Sequence, residues 1–393
     1  MIRSFRRARG VPPRKVLIWS PAVEGGIPIH AHYQATELAR RGIAVSMLCR
    51  AAHPAAGLAR NYRQIHGLPP LKQGKGLASK IIRALQGIAE QWLFAAWIVA
   101  LRPSVVLIEA NTEYYGALWA WPHLALRGLG QCYVANFHDP VRAPLRGPRW
   151  FNRLSLWAAF RVYSGALLHG PAPAGAQIPA TARRRIVPHG LFTHLLDHAP
   201  PYDLRQRLGI GPDAFVVLAF GVIMDRKNID LLVRALPEVE RMVLVVAGRE
   251  VTTRQKPASA YVALAQELGV GDRLFMLNRF IPDEEVPALF IGCDAVALTY
   301  DAGFVSQSGV VQLAAQWNRQ VIASAGESPL RQTVLDHGIG QFIAPDNLAA
   351  LIEGLRQLQR EPITDPAVFK AYRTTASWEA NIDGLLGLLT EID

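Results

Sequence analysis

Short runs of apolar and β-branched residues alternate along this chain with longer stretches whose apolar positions recur three or four residues apart. That is the signature of strand followed by helix, many times over. The run 15–19, KVLIW, is the first predicted buried strand. It leads through the loop SPAVEGGIPIH into a helical stretch carried by Tyr33, Leu38 and Ala39, then a turn at 40–42 and a second strand, IAVSMLC. Residues 55–80, with Pro69-Pro70 and scattered Lys and Arg, read as a basic excursion without regular structure. The stretch 81–101, IIRALQGIAEQWLFAAWIVAL, reads first as an ordinary core helix. Its Trp92, Phe94 and Trp97 beside Lys72, Lys75, Lys80 and Arg83 also fit a helix lying in a membrane interface. SVVLIEA (104–110), QCYVANFHD (131–139) and RRRIVPHG (183–190) complete the predicted strands of this half. HAPPYDL (198–204) reads as a Pro-rich linker.

The second half repeats the alternation, and one stretch organises it: FVVLAFGVIMDRKNIDLLVRAL (215–236). A buried strand opens through Gly221 into Arg226-Lys227, after which Ile229, Leu232, Val233 and Leu236 recur at helical spacing. In an open parallel sheet, ligands bind at the C-terminal ends of the strands, and a basic pair there suits a phosphate or diphosphate. It equally suits a solvated surface loop. Strands follow at MVLVVAGRE (242–250), LFMLNRF (274–280), AVALTY (295–300) and QVIASA (320–325). The loop 301–309, DAGFVSQSG, feeds a helix, so Ser306, Ser308 and Gly309 can offer hydroxyls and backbone N–H groups to an anion, or Ser308 can simply cap the helix. Alternating strands and helices on this scale predict an α/β protein with two doubly wound domains. The expected division is 1–198 and 199–375, with a helix at 376–393 returning to the first domain.

Charge changes the picture of the first half. Residues 1–190 hold 25 Lys and Arg against 6 Asp and Glu, while the remainder holds 17 against 25. So basic a half suggests a polyanionic partner, lipid or nucleic acid. No nucleic-acid-binding motif accompanies the charge, and nucleic acid is not expected. Cys49, Cys132 and Cys293 are far apart and show no metal-ligand spacing, so they read as buried thiols. The basic N-terminus is not followed by an apolar signal core, and no run of about 20 uninterrupted apolar residues occurs. The expectation is a cytoplasmic protein, peripheral on the inner face of the membrane.

Several motifs, in order, resemble the family 4 retaining glycosyltransferases of the GT-B fold. They are Gly25-Gly26 after the first strand, His138-Asp139, IVPHG (186–190), FGVIMDRKNIDLLVRAL (220–236), VVAGRE (245–250), DRLFMLNRFIPDEEVPALFIGCDAVAL (272–298), QVIAS (320–324) and SWEA (377–380). The resemblance implies two Rossmann-like domains facing a central cleft, and transfer of a sugar from a nucleotide-sugar donor with retention, as in a hexosyltransferase of polysaccharide or glycoconjugate synthesis. By it, Arg226 and Lys227 bind the donor diphosphate, and the loop at Phe280 and Ile281 holds the base. Gly25, Gly26 and His138 approach the diphosphate and the transferred sugar, while Gly221, Ser308 and Gly309 complete the donor site. The catalytic set is then His138, Arg226 and Lys227, with no cofactor and no metal. The basic half implies a lipid-linked acceptor at an anionic membrane surface. One departure stands out: Val305 and Leu313 occupy the positions of the family's paired glutamates. That departure leaves a second expectation open, a non-catalytic scaffold or activating subunit built on the same fold.

Overall fold

A computed structural model describes residues 11–74, 76–109, 113–141, 147–250 and 255–392. The first ten residues, four of them Arg, and Lys75 lie outside that set. The chain forms two compact units, one of Met1–Gly190 with Trp378–Asp393 and one of Leu191–Ser377. The Pro-rich segment 198–204 therefore belongs to the second unit, and the observed division precedes the expected one at 198.

The first unit holds a seven-stranded parallel sheet made of β1 (Lys15–Ser20), β2 (Ala44–Arg50), β3 (Arg63–Leu68), β4 (Val105–Ile108), β5 (Cys132–Phe137), β6 (Gly165–Leu168) and β7 (Arg183–Ile186). Their spatial order is β3-β2-β1-β4-β5-β6-β7. The inner strands β1, β4, β5 and β6 are largely apolar because both faces are covered, whereas the edge strands β3 and β7 carry exposed basic residues. Leu17, Trp19 and Val106 enter one core while Val16, Ile18, Val105 and Leu107 enter the other, as the two-residue period of a strand requires. Ile382, Leu385 and Leu388 of the last helix, Trp378–Glu391, pack into the second of these cores.

Two strands were not anticipated. β3 lies within the stretch read as irregular and pairs in parallel with β2. Its sequence, RQIHGL, is mostly polar because it is an edge strand. β6 is only GALL, four buried residues, too short for periodicity to reveal. The helix Leu77–Leu101 also differs from a core helix. It buries Glu90, Gln91, Phe94, Ala95 and Ile98 but exposes Leu77, Ile81, Leu85 and Trp92. By length and composition it could cross a membrane.

The second unit holds a six-stranded parallel sheet of β8 (Phe215–Phe220), β9 (Met242–Gly248), β10 (Leu274–Asn278), β11 (Ala295–Thr299), β12 (Gln320–Ser324) and β13 (Gly340–Phe342), in the order β10-β9-β8-β11-β12-β13. In both sheets the order reverses beside the first strand of the unit, between β1 and β4 and between β8 and β11. These are topological switch points, where loops at the strand ends diverge and leave a crevice.

Candidate active site

The candidate residues of the second unit gather at its switch point. β8 ends at Phe220, and Gly221 takes φ 91°, a left-handed value that favours glycine. The space beside it is occupied: a Cβ on Gly221 would stand 3.3 Å from Lys227 Nζ, and one on Gly248 would strike the Gly221 carbonyl. A short 3-10 turn, Asp225–Lys227, precedes the seven-residue helix Ile229–Ala235. Lys227 is therefore not a solvated surface lysine. It is half-buried, its ammonium donates to the Phe220 carbonyl oxygen at 2.5 Å, and burial together with neighbouring Arg226 lowers its pKa to about 7. Arg226 remains exposed, its guanidinium 5.3 Å from the Phe304 ring centroid.

The loop after β11 is tied to this turn. Asp301 N donates to the Arg226 carbonyl and Thr299 Oγ1 to that of Lys227. Phe304 stacks on Tyr300 with centroids 3.9 Å apart. The structure thus brings Gly221, Arg226 and Lys227 beside the loop that leads to Ser308 and Gly309. Ser308, however, is buried, and its hydroxyl is paired with the Tyr300 hydroxyl at 2.9 Å. It holds the N-cap position of helix Gly309–Gln316 without a side-chain cap bond. Two strands away, Phe280 is exposed with Arg249 5.9 Å from its ring, whereas Ile281 is buried. Phe280 can offer a flat apolar face to a base, and Ile281 only its backbone. At the paired-glutamate positions, Leu313 is buried, and its neighbour Gln312 accepts from the Tyr372 hydroxyl.

In the first unit the C-terminal sheet edge carries a cluster that sequence spacing conceals. Glu109 follows β4, His138 follows β5, His169 follows β6 and His189 follows β7, while His30 comes from the helix Gly26–Arg40. Glu109 is wholly buried. Its Oε2 faces His30 Nδ1 at 2.9 Å and His138 Nε2 at 3.3 Å, and its Oε1 accepts from Asn136 Nδ2 at 2.7 Å. His138 Nδ1 meets His169 Nε2 at 3.0 Å, and His169 Nδ1 meets the Val187 carbonyl at 3.3 Å. Both ring nitrogens of His138 are thus engaged within the protein. Burial raises the Glu109 carboxyl above its ordinary range; burial and the neighbouring histidines push His30 and His169 well below theirs. His189 falls to about 4, chiefly through burial.

The late motif SWEA supports this cluster from behind. Trp378 packs against the His30 ring and stacks on Tyr33, and Asn381 joins Gln34 to the Pro188 carbonyl. Gly25 and Gly26 are exposed at the start of the helix that carries His30. Gly25 has φ 83° and nothing within 4 Å of where a side chain would begin. Of this whole cluster only His138 was singled out from sequence. Glu109 closes an apolar run and reads there as the end of a strand; nothing local distinguishes it. His30 and His169 lie more than a hundred residues apart.

Residues 24–167 match the model of Glycosyltransferase Family 4, and residues 202–374 match that of Glycosyl transferases group 1. The chain is thus family 4-like in both matched regions, each of which spans less than half of it. A GDP-mannose-dependent alpha-(1-6)-phosphatidylinositol monomannoside mannosyltransferase of Mycolicibacterium smegmatis is 31% identical over 40% of this chain and 42% of its own length. The chain matches only about two fifths of the length of the first such relatives. A D-inositol 3-phosphate glycosyltransferase of Actinosynnema mirum is 26% identical over 92% of this chain and 91% of its own. Among solved structures, Anabaena Alr3699/HepE in complex with UDP aligns over 96% of this chain and 98% of its own, with TM-score 0.67 and 19% identity. That likeness establishes the GT-B fold, two doubly wound α/β units.

Proposed function

We propose that the protein transfers a sugar from a nucleotide-sugar donor to an acceptor in glycoconjugate synthesis, with retention at the transferred carbon. The observation that carries this reading is the half-buried Lys227 beside exposed Arg226 at the β8 switch point. A lysine held near neutrality under an arginine is poised for a strong anion, and a diphosphate satisfies both. Positive charge preorganised where a nucleoside diphosphate departs stabilises the leaving group as the glycosidic bond breaks. Phe280 is assigned to the base. Gly221 lets the backbone turn beside the diphosphate, and Gly309 begins the adjacent helix. Ser308 acts through Tyr300, as a support of that loop. In the first unit His138, oriented by Glu109, is assigned to the transferred sugar, and Gly25-Gly26 to the close backbone approach.

The acceptor side is proposed to work at an anionic membrane. Leu85 and Trp92 of helix Leu77–Leu101 are exposed, as are Leu118 and Trp121 on helix Gly116–Gly128 and Trp157 on helix Arg149–Val162. Basic groups such as Lys80, Arg83 and Arg153 accompany them. An apolar surface set among cations suits the headgroup region of a bilayer and a lipid-linked acceptor there.

A second reading follows from Val305 and Leu313: a subunit that keeps the fold, has lost donor chemistry and activates another enzyme. Calorimetric titration with UDP, GDP, ADP and their common sugars separates the two. Stoichiometric binding of one nucleotide, lost in Arg226→Ala, supports the transferase. A folded protein that binds none supports the scaffold.

A further inference from the structure

The three histidines at the first unit's sheet edge present an unusual balance of ring protons. Each neutral imidazole has one N–H and one lone pair. The Glu109 carboxylate faces His30 Nδ1 and His138 Nε2, and the Val187 carbonyl faces His169 Nδ1, so those three nitrogens are the natural donors. What remains are three lone pairs: His30 Nε2, His138 Nδ1 and His169 Nε2. One ring nitrogen from each of these three histidines lies within 4.8 Å of the other two. His138 Nδ1 and His169 Nε2 face each other at 3.0 Å with no proton assigned between them. His30 Nε2 is buried and has no hydrogen-bond partner at all. A cation at their centre would satisfy all three.

We propose that His30 Nε2, His138 Nδ1 and His169 Nε2 bind a divalent transition metal of the zinc class. Zinc is bound by neutral imidazole nitrogens at about 2.0–2.1 Å in tetrahedral array, so its ligand atoms stand about 3.4 Å apart. The trio closes to that spacing by ring rotations on the scale of an ångström. Its outer partners are already in place. Metal-binding histidines characteristically donate their other N–H to a carboxylate or backbone carbonyl, which fixes the tautomer. Glu109 does this for two rings and Val187 for the third. Three protein nitrogens leave one tetrahedral position for water or a ligand oxygen. His30 is wholly buried and His138 only partly so, which places the open side of the set toward His138.

This inference does not rest on sugar transfer, and its test needs no substrate. Untagged protein is purified from zinc-supplemented cells, its metal content measured by mass spectrometry, and the zinc-edge X-ray absorption recorded. The expected result is about one zinc per chain with only nitrogen and oxygen neighbours at about 2.0 Å, three of them imidazole. His169→Gln, checked for native circular dichroism, is expected to lose the metal at least tenfold, and His337→Gln in the second unit to keep it. Absorption on the unaltered protein decides the matter even where a variant misfolds. Metal below about one tenth equivalent after zinc dialysis, sulfur scatterers pointing to Cys49, or full occupancy in folded His169→Gln would each overturn the assignment.

Discussion

The Lys227 ammonium donates to the Phe220 carbonyl oxygen at 2.5 Å, pulled back against the end of the strand that precedes its own turn. It sits there without a carboxylate partner among its hydrogen bonds and next to Arg226, which is why its pKa falls to about 7 from 10.5. A buried charge without a counter-ion is costly, and a bound diphosphate would relieve that cost.

Lys227→Met is accordingly expected to leave the unliganded fold as stable as the parent at pH 7, or slightly more so. Nucleotide-sugar binding should weaken by about ten- to a hundredfold, since a charge-assisted contact is worth about 1.5–3 kcal/mol. Thermal melts with and without ligand check both halves: an unchanged ligand-induced rise would remove Lys227 from the donor site.

The same group makes binding depend on pH. Free Lys227 is mostly protonated below pH 7 and mostly neutral above it, whereas an adjacent diphosphate raises its pKa. Binding above pH 7 must then take up a proton, and affinity should fall as pH rises from 7 to 9. Calorimetry at pH 8 in buffers of differing ionisation enthalpy should show uptake approaching one proton per site. For the fold the sign is opposite. The folded pKa lies below the unfolded value, so this lysine's contribution to stability improves as pH rises from about 7 toward 10.5.

Glu109 binds His30, Asn136 and His138 from a fully buried position. Glu109→Ala leaves the buried His30 Nδ1 without a partner, while Asn136 keeps its bond to Gln34, and should cost about 1–3 kcal/mol of first-unit stability. Glu109→Gln keeps the shape but replaces an acceptor that serves two rings by an amide oxygen and an N–H. It should cost less stability while still changing activity. Urea unfolding followed by tryptophan fluorescence reads the difference, because eight of the nine Trp, all but Trp317, belong to the first unit.

Two glycines should respond in opposite ways. A side chain on Gly248, at φ 156°, would meet the Gly221 carbonyl at 1.9 Å, so Gly248→Ala should unfold or misfold the second unit. Gly25 has open space around it but takes φ 83° and ψ −173°, a backbone region nearly confined to glycine, so Gly25→Ala should carry only that backbone cost, about 1–3 kcal/mol. Its transfer rate should fall far more than its melting temperature. Equal losses in both would remove the functional role given to that loop.

How far the sequence reveals this molecule depends on the range over which its signals act. The alternation of strand and helix is local, so KVLIW and FVVLAF stand out unaided, and Gly221 and Arg226-Lys227 mark a loop at a strand end. β6 escapes because four residues, one of them glycine, carry too little periodicity. Lys227 looks like a solvated lysine until the turn Asp225–Lys227 folds its side chain back to Phe220. Ser308 looks like a free cap until Tyr300, eight residues earlier, takes its hydroxyl. The histidine cluster is the extreme case. Its members come from one helix and three different strand ends, and only the parallel sheet brings them together.

The most direct test of the central claim is a calorimetric titration of the purified protein with nucleotide sugars, repeated on Arg226→Ala and Lys227→Met. The account predicts saturable one-to-one binding of one donor, accompanied by proton uptake above pH 7 and lost in both variants. A well-folded protein that binds none of them, or binds one equally well in both variants, would contradict it.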